Sequence, residues 1–232
     1  MEERYYTQYA AAMVRGGLVR RGLTHSHDPA LLRTPLEDLT PDQCDALMAI
    51  GREAGIKLYH FKRSDPLLPR VHKVLGFLKS IRFESLVDVG SGRGVFLLPF
   101  LESFPHIPVT SVEIWDKRAD LLEDIAAGGV SRLTVCRADF CTHPLGDRTA
   151  DVVTLLEVLE HIPDVQAAIA AACRTARRYV VVTVPSKEDD NPEHIHLLTK
   201  EKLTSYFTAC GVKRLTFDGV PGHLFMIATI GE

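Results

Sequence analysis

From residue 84 onward, short apolar runs alternate with stretches whose apolar residues recur at helical spacing. "SLVDVG", "VTSVE", "LTVCRAD", "DVVTLLE" and "YVVVTVP" have the length and the β-branched content of strands. Helical patterns occupy Leu97 to Phe104, Arg118 to Ala127, Asp164 to about Ala176 and Lys200 to Cys210. This alternation predicts βαβ units, hence a mostly parallel sheet with helices on both faces. The last two runs, "VKRLTF" and "HLFMIATI", are joined only by "DGVPG". That link is too short for a helical crossover, so the pair is expected to be antiparallel.

Residues 1–80 carry no such alternation and read as helices joined by loops. Thr40-Pro41-Asp42-Gln43 has the spacing of a capping box with Pro at the first helical position. It leads into a periodic segment bearing Cys44, Leu47 and Met48, which Gly55 ends. Pro69 opens another helix, with Val71, Val74, Leu75 and Leu78 on one apolar stripe and Arg70, Lys73 and Lys79 outside it. The change of pattern suggests a helical extension over 1–80 and a ligand-binding α/β domain over 81–232. His25 and His27 have the spacing of metal ligands, but as a solvated pair without partners nearby they read as incidental.

Composition adds bounds. Of the 232 residues, 46% are hydrophobic and 25% charged, the profile of a soluble globular chain with a sizeable core. No apolar run reaches the roughly 18 residues needed to cross a bilayer, and "MEERYY" is not followed by an apolar leader core. The expected location is the cytoplasm. The five cysteines form no C-x-x-C pair and lie in apolar segments, so they read as reduced core residues. Residues 1–82 hold 13 Lys and Arg against 9 Asp and Glu, a local +4, while the remainder holds 14 against 21, or −7. The basic part has no dense run interleaved with aromatics, which disfavours a nucleic-acid surface there.

Candidate chemistry begins where the first strand runs into Asp88-Val89-Gly90-Ser91-Gly92-Arg93-Gly94. Glycines allow a sharp turn and a close ligand approach to the backbone, and the following helix points free N–H groups at the same place. Val95 stands where a dinucleotide loop has its last glycine, which argues against NAD and a dehydrogenase. Glu113 ends the second strand, where a carboxylate can accept both hydroxyls of a ribose. Asp139 ends the third, positioned for an adenine amino group, with Phe140 beside it as an apolar wall. Three such features at successive strand ends point to a nucleoside-type ligand.

With these residues in place, the sequence resembles the class I S-adenosylmethionine-dependent methyltransferases. "LVDVGSGRG" is similar to their first motif, "SVE" to their second, "RADF" to their third and "ADVVTLLEVLEHI" to their fourth-strand segment, over about residues 70–232. The resemblance implies a Rossmann-like, seven-stranded, mostly parallel sheet with an antiparallel last strand. It also implies S-adenosyl-L-methionine as cofactor. Asp88, Gly90, Ser91, Gly92 and Gly94 would surround its methionine end, Glu113 the ribose, Asp139 and Phe140 the adenine.

The stretch "LLEVLEHIPD" then places Glu157, Glu160 and His161 in the turn after the fourth strand, at the edge of the sheet where ligands bind. Asp164 stands where it can start the next helix. Two carboxylates and an imidazole can converge on a cation. His194 and His196 follow the fifth strand, and on an extended segment only one of them faces inward; His194 is the expected one. Glu157-x-x-Glu160-His161 with a later His resembles two subgroups, the small-RNA 3′-terminal 2′-O-methyltransferases of the Hen1 type and the O-methyltransferases of ubiquinone synthesis. That resemblance implies a divalent metal, Mn or Mg, on Glu157, Glu160, His161 and His194, acidifying an acceptor hydroxyl. Without metal, Glu157 borders the cofactor and His161 is the candidate base, with an unperturbed pKa of about 6.5. The expected activity is O-methylation of a small-molecule acceptor, with the N-terminal helices as a lid. The alternatives are RNA 2′-O-methylation, which the acidic "SKEDDNPEH" opposes, and a non-catalytic nucleoside-binding protein of the same fold.

Overall fold

The computed structural model describes residues 2–24, 27–56 and 68–231; His25 lies outside them. Seven strands, β1 (Leu86–Val89), β2 (Val109–Glu113), β3 (Leu133–Arg137), β4 (Ala150–Leu156), β5 (Ala176–Pro185), β6 (Arg214–Val220) and β7 (His223–Thr229), form one sheet in the order β3-β2-β1-β4-β5-β7-β6. The pairs among β1 to β5 are parallel. β7 lies between β5 and β6 and is antiparallel to both; β6 runs on through Asp218–Val220, so only Pro221-Gly222 of the expected "DGVPG" link turns the chain between the last two strands.

Residues alternate across the sheet because successive strand side chains point to opposite faces. Leu86, Val152 and Val181 join one core while Val87, Val153 and Val182 join the other. On the first face pack α4 (Pro69–Lys79), α5 (Leu97–Ser103) and α6 (Asp116–Ala127); on the second, α7 (Val165–Thr175) and α8 (Lys200–Ala209). The stripe Val71, Val74, Leu75 and Leu78 is buried against the sheet, and α6 begins two residues ahead of the expected Arg118.

The N-terminal helices α1 (Glu2–Arg20), α2 (Pro29–Arg33) and α3 (Pro41–Glu53) precede this layer. Thr40 caps α3 in a capping box: its Oγ1 accepts from the Gln43 N–H at 3.2 Å, and Gln43 Oε1 accepts from the Thr40 N–H at 2.9 Å. Ala11, Ala12, Met13, Val14 and Leu18 of α1 share a core with Leu121, Leu122 and Ile125 of α6. The two helices touch backbone to backbone: a Cβ on Gly16 would stand 1.8 Å from the Asp124 carbonyl oxygen. Arg20 closes the contact at 2.7 Å from the Asp124 carboxylate. The apolar surface of α1, α3 and α4 is thus continuous with the core beneath the first sheet face.

The expectation that the cysteines lie in the core holds for Cys44. Cys210 is exposed, because it occupies the C-cap of α8, where the helix gives way to a turn. Among the described residues no helix is long and apolar enough to cross a membrane.

Candidate active site

The strand order reverses between β1 and β4, so the loops leaving their carboxyl ends diverge and open a crevice, the usual ligand position in such sheets. The glycine loop leaves β1 and the Glu157–His161 turn leaves β4, which makes them neighbours. They meet at Gly90, where a Cβ would stand 2.5 Å from Val158 Cγ2. Gly90 and Gly92 have φ of 67° and 58°, left-handed backbone that side chains strain. Around the Cβ position of Gly92 the nearest atom is 3.7 Å away, so this part of the loop faces open space.

The loop is held by a chain of buried hydrogen bonds. Asp88, 2% exposed, accepts from Ser91 Oγ and from Thr154 Oγ1, each at 2.6 Å. Ser111 Oγ donates to Ser91 Oγ at 2.7 Å. Burial pushes the Asp88 carboxyl up to about 6, with the two hydroxyls pulling it back. Asp88 and Ser91 therefore shape the loop from beneath, and Phe140, also buried, belongs to the core under the second sheet face. Glu113 is 2% exposed and accepts from the Gly92 N–H at 3.0 Å and the Trp115 N–H at 2.9 Å, tying the β2 end to the loop. Asp139 is exposed and accepts from the Cys141 N–H at 2.9 Å. Ile114 and Trp115, both exposed, stand between these acids as apolar surface.

On the other side of the crevice several buried oxygens lack partners among the described residues. Glu160 has no exposed surface, and neither carboxylate oxygen finds a hydrogen bond among the described residues. Burial first, then the Glu157 carboxylate, push its carboxyl up to about 8, while Arg70 on α4 pulls the other way. Ligand atoms of Glu160, His161 and His194 lie within 4.8 Å of one another. His161 Nδ1 donates to the Glu193 carbonyl at 2.8 Å, and His194 Nδ1 stands 2.9 Å from Asp189 Oδ1. His196 instead approaches the Pro163 carbonyl at 3.4 Å. Glu157 is not in this group. It adopts φ of 55°, and its Oε2 lies 2.9 Å from Nε2 of His223, the first residue of β7. Its Oε1, like Thr183 Oγ1 on β5, is buried without a partner among the described residues.

A family model described as a methyltransferase domain matches residues 59–216, more than half of the chain. The chain belongs to the methyltransferase domain family. It is an S-adenosylmethionine-dependent methyltransferase by class. Among solved structures, the methyltransferase is similar to a SAM-dependent methyltransferase from Archaeoglobus fulgidus, with 16% identity over 72% of this chain and 94% of that one and a TM-score of 0.58. The methyltransferase domain of bacterial CtHen1-C gives 18%, 72%, 100% and 0.59 for the same four quantities. An O-methyltransferase family protein from Burkholderia thailandensis gives 13%, 99%, 71% and 0.58. At these identities the likeness is one of fold. No curated protein matches the sequence.

Three site residues of the methyltransferase escaped the sequence reading. Asp189 stood only as one acid of "SKEDDNPEH" and Arg70 only as a polar residue outside the α4 stripe, both ordinary in isolation. His223 did leave a signal. An antiparallel last strand starts where the parallel strands end, so its first residue is delivered to the ligand edge; Pro185 and His223 are register partners.

Proposed function

We propose that this methyltransferase moves the methyl group of S-adenosylmethionine onto a hydroxyl oxygen of a small-molecule acceptor, assisted by a divalent cation. The observation that carries the reading is Glu160, a buried carboxylate whose two oxygens have no hydrogen-bond partner among the described residues and which lies beside two imidazoles. A carboxylate buried in this way costs several kcal/mol unless a cation or proton meets it. One carboxylate and two imidazoles suit Mn²⁺ or Fe²⁺ better than Mg²⁺, which prefers oxygen throughout. Three protein ligands leave positions open for a catechol or other vicinal pair of oxygens. When bound, such a cation makes a hydroxyl it touches more acidic.

The remaining work falls to the chain. Gly90, Gly92 and Gly94 admit the methionine end, Glu113 the ribose and Asp139 the adenine, which puts the sulfonium methyl above the β1–β4 crevice. The acceptor oxygen attacks that methyl in line, the carbon–sulfur bond breaks with its electron pair left on sulfur, and the hydroxyl proton departs. Positioning supplies much of the acceleration. In the absence of metal, His161 is the base that takes the proton. Glu157, turned toward His223, borders the acceptor. Within the N-terminal extension, Arg70 on α4 carries a charge that acts on Glu160.

A second reading, transfer to the terminal ribose of an RNA, draws on the fold shared with CtHen1-C and on the same donor set. The exposed acids Glu188, Asp189, Asp190 and Glu193 beside the site repel a phosphate backbone, which favours the small molecule. A transfer screen with methyl-labelled cofactor over catechols, small hydroxy acids and short RNAs, each with and without Mn²⁺, separates the two. A Mn²⁺-dependent catechol product is expected. Labelled RNA alone would install the second reading, and no calorimetric binding of the cofactor would remove both.

A further inference from the structure

We propose that Asp189 is a positioning residue of the cation centre: it fixes the His194 tautomer so that both imidazoles turn a bare Nε2 toward Glu160. The proposal rests on the metal reading above. A neutral imidazole carries one N–H and binds a cation only through its other nitrogen. The His161 Nδ1 lies 2.8 Å from a carbonyl oxygen, which can only accept, so the proton sits on Nδ1 and Nε2 is bare. The His194 Nδ1 lies 2.9 Å from the Asp189 carboxylate and is fixed in the same way. The rings stand edge to face with centroids 4.8 Å apart, and one ligand atom of each lies within 4.8 Å of the other and of a Glu160 oxygen.

Asp189 is itself held in place. Its Oδ1 also accepts from the Asn191 N–H at 3.1 Å, and Asn191 in turn accepts from the Glu193 N–H at 3.1 Å. The Ile195 N–H then donates to the Glu160 carbonyl at 2.9 Å, which fastens the loop to the turn bearing the buried carboxylate. The Asp189 side chain is 42% exposed, and an ion pair at that exposure adds about 0–1 kcal/mol of stability. Orientation of His194 is the larger consequence of its position. The third imidazole at this edge shows the contrast. His223 Nδ1 donates to the Pro221 carbonyl at 3.0 Å, and its Nε2 already faces Glu157 at 2.9 Å, so it has no nitrogen to offer.

The test titrates the full-length protein with Mn²⁺ and reads free ion by electron paramagnetic resonance. Asp189→Ala is expected to weaken Mn²⁺ binding about 10- to 100-fold. Asp190→Asn, which removes an exposed charge one residue away, is expected to change it by about twofold at most. Calorimetric binding of S-adenosylmethionine, unchanged in both, shows that the fold is intact. Equal Mn²⁺ affinity in the two variants would overturn the proposal, since charge alone would then explain any loss. Imidazole ¹⁵N shifts of the metal-free protein give an independent answer. Nδ1–H with a bare Nε2 is expected for His194, with loss of that single form in Asp189→Ala. A wild type that binds no Mn²⁺ ends the metal reading, and the nitrogen shifts then decide Asp189 alone: His194 found as Nε2–H would overturn its role.

Discussion

The two walls of the crevice differ in how their polar groups are satisfied. Around the glycine loop, Asp88, Ser91, Ser111, Thr154 and Glu113 form a closed hydrogen-bonded set without any ligand. Across from it, Glu157 Oε1, both oxygens of Glu160 and Thr183 Oγ1 are buried and unpartnered among the described residues. Folded proteins leave few such groups. The comparison sets a preorganised wall, whose hydrogen bonds fix the shape of the glycine loop, against a wall whose buried carboxylate oxygens are left without partners among the described residues.

The largest way to break this contrast is Gly92→Asp. The free loop has room for a Cβ, but the side chain and its charge would fill the ligand's space and strain a φ of 58°. Cofactor binding by calorimetry is expected to vanish. Binding equal to wild type would mean that the loop is not the cradle.

Glu160→Gln tests the other wall. Its folded carboxyl sits at about 8, above the ordinary 4.5, so its contribution to stability is full below pH 4.5 and is lost as pH rises through 8. Metal-free protein is therefore expected to melt at lower temperature between pH 5 and pH 9 (on the order of a few kcal/mol in all), and the variant to lose most of that slope. Asp88, with its carboxyl at about 6, keeps a smaller slope that ends near pH 6. Thermal scans across this range check both; a variant with the wild-type slope would mean that Glu160 is not the buried acid responsible. The same substitution should abolish Mn²⁺ binding.

Glu113→Gln removes one of two oxygens that accept backbone N–H bonds, at a cost of about 1–3 kcal/mol. Cofactor affinity is expected to fall about tenfold, since 1.4 kcal/mol is a factor of ten. An unchanged dissociation constant would show that the Gly92 bond is incidental to the loop. The smallest effect belongs to His223→Gln. The pair with Glu157 is about one-fifth exposed, so chemical denaturation should show a loss of about 1 kcal/mol or less, with cofactor binding unchanged. A cofactor affinity that drops with it would mean that the two walls are coupled through Val158.

Much of the fold could be read from contiguous residues. The strand runs, the Thr40 capping box, the Pro69 helix start and the antiparallel final pair all appear where their patterns place them, because period, capping and loop length act over a few residues. The glycine spacing and strand-end acids were legible for the same reason. Asp88 was less so. Its place in the motif suggests a cofactor contact, whereas Ser91 and Thr154 occupy both of its oxygens and make it a brace. Glu157 reads as one more acid in a run of ligands, yet its partner is delivered from β7.

By itself the sequence determined the sheet, the helices on its faces, and the glycine loop and acids at the carboxyl ends of the strands. Only the tertiary structure decided which polar groups pair and which are left over: Glu157 with His223, His194 with Asp189, and the Glu160 carboxylate without a hydrogen bond among the described residues. Secondary structure is set by neighbours along the chain. The state of a buried carboxylate is set by desolvation and by whichever charges folding brings beside it from far along the sequence.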